Sequence, residues 1–159
     1  MLADGGCLFR ALADQMFNNQ EMHAECRATV VQQMRLNLHL YLELLAGDFT
    51  SEEEQMANYE RYVTKMELAD TWGDGVCMQA AADKFRVSVR VIRADAAENL
   101  IVPREKWSER VLVICYLRDE QHYDSAFHIH DEGVTGCAAA QVDTKRHVDT
   151  PGMNLSAGA

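Results

Sequence analysis

No two cysteines in this sequence are spaced C-x-x-C, and the five that occur, Cys7, Cys26, Cys77, Cys115 and Cys137, are odd in number. That count argues against a disulfide framework and against a thiolate zinc site, so each thiol is read singly. No uninterrupted apolar run approaches the ~20 residues of a membrane span. The N-terminal MLADGG has neither the basic stretch nor the apolar stretch of a secretory signal, so the expected setting is the cytosol or nucleus, with thiols reduced. Positive charge is scarce as well. Fifteen Lys and Arg stand against 25 Asp and Glu, a net charge of -10, which opposes phosphate binding and suits a solvated enzyme or a binder of basic surfaces. Neither nucleic acid nor a membrane is expected as a partner. No internal repeat is visible.

What is present fits one soluble globular domain. A chain of 159 residues buries roughly 70% of the surface its unfolded form exposes. Leu8, Ala11, Leu12 and Met16 stand at helical spacing in CLFRALADQMF, with Asp14 and Gln15 off the stripe. From Gln20 to about Leu45 an apolar ladder of Met22, Cys26, Val30, Met34, Leu38 and Leu42 repeats every four residues, as one long helix or as two broken near NLHL. Ser51 and Glu54 fit a capping box before a stripe of Met56, Tyr59, Val63 and Met66. After the turn-rich ADTWGDGV, the alanine-rich CMQAAADKF reads as a helix small enough on one face to lie close against a sheet.

The period then changes. VSVRVIR alternates like a half-buried strand, VLVICYL is a continuous apolar run of the kind found in central strands, and RDEQ is short enough to make a hairpin with HYDSAFHIH. On that last segment Tyr123, Phe127 and Ile129 take one face and His122, Asp124, His128 and His130 the other. Helices first and strands last predict an α+β domain, helices packed on a small sheet. From Asp131 no apolar period remains, which predicts a domain over residues 1–130 and a disordered tail over 131–159.

Cys7 raises the question of chemistry. It follows Asp4-Gly5-Gly6 and opens a helix, where unpaired backbone N–H groups and the helix dipole favour an anion. The same N–H groups could form an oxyanion hole. Taken alone, a cysteine at a helix start more often packs than attacks. A nucleophile needs a base, and His122 is best placed of the six histidines, with Asp124 two residues on and on the same strand face, able to hold the imidazole in one tautomer. Asp4 is a second carboxylate near the thiol, or a cap before the helix.

Three segments together, DGGCLFRAL, WGDGVCMQAAADKF and HYDS, resemble the ovarian-tumour (OTU) family of cysteine proteases. The likeness runs from Asp4 to about Ser125. It implies a papain-like α+β fold with a mostly antiparallel sheet, and a deubiquitinase that hydrolyses the isopeptide bond at the C-terminal glycine of ubiquitin. By that resemblance Cys7 matches the nucleophile, His122 the general base, Asp4 the aspartate of the motif and Asp124 the group that orients the histidine. The backbone amides of Gly5, Gly6 and Cys7 match the oxyanion hole. No metal or organic cofactor is implied, and the expected partners are ubiquitin, polyubiquitin and ubiquitinated proteins, met by a monomer. Gly6 departs from the family, which usually has Asn or Asp there, and implies a looser turn.

Other candidates read as structural. Cys26, Cys77 and Cys115 fall on apolar faces and are expected in the core. His128 and His130 share a strand face without two further zinc ligands in view. Trp72 could contact ubiquitin, though packing beside the glycine turn is the expectation. Two other functions fit the same residues: a non-catalytic ubiquitin-binding module, and a cysteine protease for a ubiquitin-like modifier.

Overall fold

Helix α1 (Cys7–Phe17) opens the chain in the computed structural model, which describes residues 5–126 except 46, 95, 106–107 and 119. Its stripe buries Leu8, Phe9, Ala11 and Leu12 completely, and Asn18, left-handed at φ 53°, ends it. The apolar ladder breaks at Asn37, as the NLHL alternative anticipates. A 3-10 turn (Gln20–Met22), α2 (His23–Leu36), the short α3 (Leu38–Tyr41) and a second 3-10 turn (Leu42–Leu44) divide it.

Helix α4 (Glu52–Met66) starts at Ser51, whose Oγ accepts from the Glu54 N–H at 3.2 Å. Such a cap contributes about 1 kcal/mol. The return arm of the capping box differs from expectation: the Glu54 carboxylate reaches Thr50, accepting from its N–H at 2.9 Å and its hydroxyl at 2.7 Å. These bonds hold the Glu54 carboxyl below its usual range. Met56, expected on the buried stripe, is 41% exposed, because that stripe meets the core only from Tyr59 onward.

Helix α5 (Gly75–Phe85) is capped by Asp74, which accepts from the Val76 and Cys77 N–H groups. Its Ala80, Ala81 and Ala82 are fully buried and let it lie close to α2 and the sheet. The sheet order is β2 (Asn99–Ile101), β1 (Ser88–Arg93), β3 (Val111–Leu117), β4 (His122–Ser125). β1 and β3 pair parallel, and the other two pairings are antiparallel. The sheet is therefore mostly antiparallel around one parallel central pair, and the antiparallel pairing of β3 with β4 brings His122 opposite Leu117. All described residues belong to one compact unit, Met1–His128. The tail over 131–159, and with it Cys137, Phe127, His128, Ile129 and His130, lies outside the described residues, as does Asp4.

Candidate active site

Helix α1 packs along β4, so the helix that begins with Cys7 and the strand that begins with His122 are neighbours. Polar contacts on the side of α1 away from its apolar stripe hold this seat. Ser125 Oγ donates to the Asp14 carboxylate at 2.6 Å. Gln15 donates through Nε2 to the Ala126 carbonyl at 3.1 Å and accepts at Oε1 from the Val113 N–H at 3.2 Å. Arg110 donates to the Gln15 and Met16 carbonyls at the last turn of α1, where a cation also suits the helix dipole.

The turn before Cys7 is held from another direction. Gly5 has φ +71°, and a Cβ there would sit 2.1 Å from the Asp70 carbonyl oxygen, so only glycine fits. Gly6 caps α1 at φ −87°, an ordinary right-handed conformation, and its carbonyl accepts from the Arg10 N–H at 2.9 Å. A buried arginine on α2 joins this turn to the segment after α4. Arg27 Nη1 donates to the Met66 carbonyl at 3.0 Å, and Nη2 donates to the carbonyls of Gly5 (3.1 Å), Ala69 (3.0 Å) and Thr71 (2.8 Å). Farther along that segment Gly73 lies on Leu8 and Phe9 of α1: an added Cβ would come within 2.6 Å of Leu8 Cδ2. Trp72, just before it, is 42% exposed, where the sequence led to the expectation of packing beside the glycine turn.

Cys7 is 1% and His122 4% exposed. The Tyr123 ring meets that of Tyr116 at a tilt of 42°, with centroids 4.8 Å apart. Burial pushes the Tyr123 phenol up to about 12, with Tyr116, Cys7 and Asp74 adding to the effect. His122 Nδ1 is buried and has no hydrogen-bond partner among the described residues. Asp124 does not supply one here. Its Oδ1 accepts from the adjacent Ser125 N–H at 2.9 Å, and it stands across from Cys115. Leaving a buried imidazole nitrogen unpaired costs about 1–3 kcal/mol, and a carboxylate two residues along the same strand face is suited to relieve it.

The other described cysteines are buried as well. Cys26, Cys77 and Cys115 are buried in the core as expected. Burial pushes Cys26 and Cys77 up to about 12, and the Cys115 thiol also upward, with Asp124 adding to its shift. Thiols so shifted stay protonated at neutral pH and are poor nucleophiles. Among the described residues no group of three or more His, Cys, Asp and Glu side chains is arranged to hold a metal ion, and no helix is long and apolar enough to cross a membrane.

The sequence reading missed Arg27, Asp14 and Gln15. Arg27 adjoins the apolar ladder, a faint signal, but nothing local announces carbonyls supplied from 22 to 44 residues away.

A family model for OTU-like cysteine proteases matches residues 2–123. OVARIAN TUMOR DOMAIN-containing deubiquitinating enzyme 11 of Arabidopsis thaliana is 35% identical over 129 residues, covering 80% of this chain and 48% of the relative. A putative ubiquitin thioesterase, L96, of Tipula iridescent virus is 26% identical over 139 residues, 82% of this chain and 16% of that protein. The chain thus spans about half of the first relative's length, and less of the second's. Among solved structures, the OTU domain of OTUD1 superposes with a TM-score of 0.65 at 18% identity, covering 79% of this chain and 81% of that one. An OTU domain solved in complex with ubiquitin superposes with a TM-score of 0.59 at 20% identity, over 79% of this chain and 65% of that one. The fold is the papain-like α+β fold of these domains.

Proposed function

The chain belongs to the family of OTU-like cysteine proteases, and from that premise we propose that it is a deubiquitinase acting through Cys7. The observation that carries the reading is the abutment of α1, which starts at Cys7, with β4, which starts at His122. The relatives' names and the neighbour in complex with ubiquitin support ubiquitin as the partner. A monomer in the cytosol or nucleus completes the proposal.

His122 takes the thiol proton as Cys7 Sγ attacks the carbonyl of the ubiquitin C-terminal glycine. The oxyanion forms over the amides of Gly5, Gly6 and Cys7. The C–N bond breaks, the lysine amine leaves with the proton from His122, and a thioester remains on Cys7. Water, deprotonated by His122, then releases ubiquitin and the free thiol. Asp124, turned from Ser125 toward Nδ1, would orient the imidazole and stabilise its protonated form. Asp4 is the second acidic candidate.

A second reading, a ubiquitin-binding module without turnover, is favoured by the unpaired Nδ1 of His122. Ubiquitin carrying a thiol-reactive C-terminal warhead separates the two. The expected result is one adduct by intact mass, abolished in Cys7→Ala and slowed in His122→Ala. Asp124→Ala is expected to lower turnover more than Asp4→Ala, with near-UV circular dichroism retained. A folded wild type that forms no adduct overturns the catalytic reading, and equal turnover of Asp124→Ala and wild type removes Asp124 from the mechanism. Running the same assay with ubiquitin-like modifiers tests the choice of modifier.

A further inference from the structure

We infer that Arg27 is a positioning residue for the reaction at Cys7, its guanidinium setting the peptide plane of the turn that presents the nucleophile; this rests on the deubiquitinase reading. The side chain is 5% exposed, and a charge so withdrawn from water needs strong partners to offset the loss of hydration. It has them in the carbonyls of Gly5, Met66, Ala69 and Thr71.

One of these, the Gly5 carbonyl, belongs to the peptide that leads into Gly6 and then Cys7. That peptide is trans, so fixing the direction of its oxygen fixes the whole plane. The guanidinium carbon also lies 4.1 Å from the centroid of the Phe9 ring, two residues after Cys7. Arg27 therefore grips the chain on both sides of the nucleophile while holding the 66–71 segment that approaches Gly5.

The geometry requires a planar fork. Nη1 serves Met66 and Nη2 serves the other three carbonyls, a spread that the point-like ammonium of lysine does not reproduce. Lysine does keep the charge and a long stem, so Arg27→Lys separates positioning from simple neutralisation of the buried site. Rotation of the Gly5–Gly6 plane would disturb the amides that face the oxyanion. That loss falls on kcat, since ubiquitin's remote contacts are untouched.

The test is steady-state hydrolysis of a fluorogenic ubiquitin C-terminal amide by wild type, Arg27→Lys, Arg27→Gln and Arg35→Lys. It is run at a temperature where near-UV circular dichroism reports native packing. Arg35, on the same helix but paired with Glu67 and Glu60 at the surface, serves as the control. The expected result for Arg27→Lys is a native spectrum with kcat lowered about ten- to a hundredfold and KM within about twofold of wild type, the pattern of misplaced reacting groups. Arg35→Lys should match wild type. A kcat for Arg27→Lys within about twofold of wild type overturns the inference. So does loss of the native spectrum in both Arg27 variants, which would make the residue purely structural. A wild type with no turnover overturns the deubiquitinase reading itself and this inference with it, and is seen before any variant is compared.

Discussion

At Gly5 an added methyl would meet the Asp70 carbonyl oxygen at 2.1 Å with the backbone already at φ +71°, whereas Gly6 holds a φ that any L-residue adopts. The sequence presents the two glycines as one flexible pair. Their roles divide only because Asp70, 65 residues farther on, is brought against the first of them. Gly5→Ala is expected to lower the melting temperature markedly and abolish labelling of Cys7, since backbone must move to admit the Cβ. Gly6→Asn should keep both, and the same melts and labelling check it. Cys7, His122 and Asp124 were legible at this scale because short motifs carry them. Whether Asp124 touches the imidazole was not legible, since strand periodicity fixes a shared face and leaves the carboxylate free to choose between Nδ1 and the Ser125 N–H.

Between elements, the seat of α1 on the sheet depends on residues that helical periodicity alone assigns to the outer face. Asp14 and Gln15 lie off the apolar stripe, and a stripe tells which side chains meet the core without telling whether the rest meet water or the end of a sheet. Gln15 uses both ends of its amide, so Gln15→Ala would leave the Val113 N–H and the Ala126 carbonyl without this partner. A loss of about 1–3 kcal/mol is expected. Hydrogen exchange should show faster exchange at Tyr123–Ala126 than in wild type with β1 unaffected; uniform loss of protection would refute a local anchoring role. The strand β2 escaped the sequence reading for a related reason. It has three residues, its Leu100 is 52% exposed, and no alternation marks it.

Over the whole molecule, the thiols buried in the core predict alkaline instability. Cys26 and Cys77 are pushed up to about 12 in the fold, against about 8.5 in an unfolded chain. Below pH 8.5 both states hold these protons and stability is independent of them. Between about 8.5 and 12 the unfolded chain gives them up first, so stability falls with rising pH by about 1.4 kcal/mol per thiol per pH unit. Thermal melts in reductant from pH 7 to 10.5 should therefore show a steepening loss above pH 8.5. Cys26→Ala, although it leaves a small cavity, should flatten that slope; an unchanged slope would exclude Cys26 as its source.

The local signals were enough to determine the α+β class, the boundaries of α1, the start of α4 at Ser51, the β3–β4 hairpin, and the core placement of Cys26, Cys77 and Cys115. Each of these rests on neighbours a few residues apart, where period, capping and turn chemistry act. Only the tertiary structure decided the parallel pairing of β1 with β3, the requirement for glycine at Gly5, and the burial of Arg27 among carbonyls from two distant stretches. Those outcomes depend on which surfaces meet after the chain has folded back on itself, and a periodicity records that a face is buried without recording what buries it.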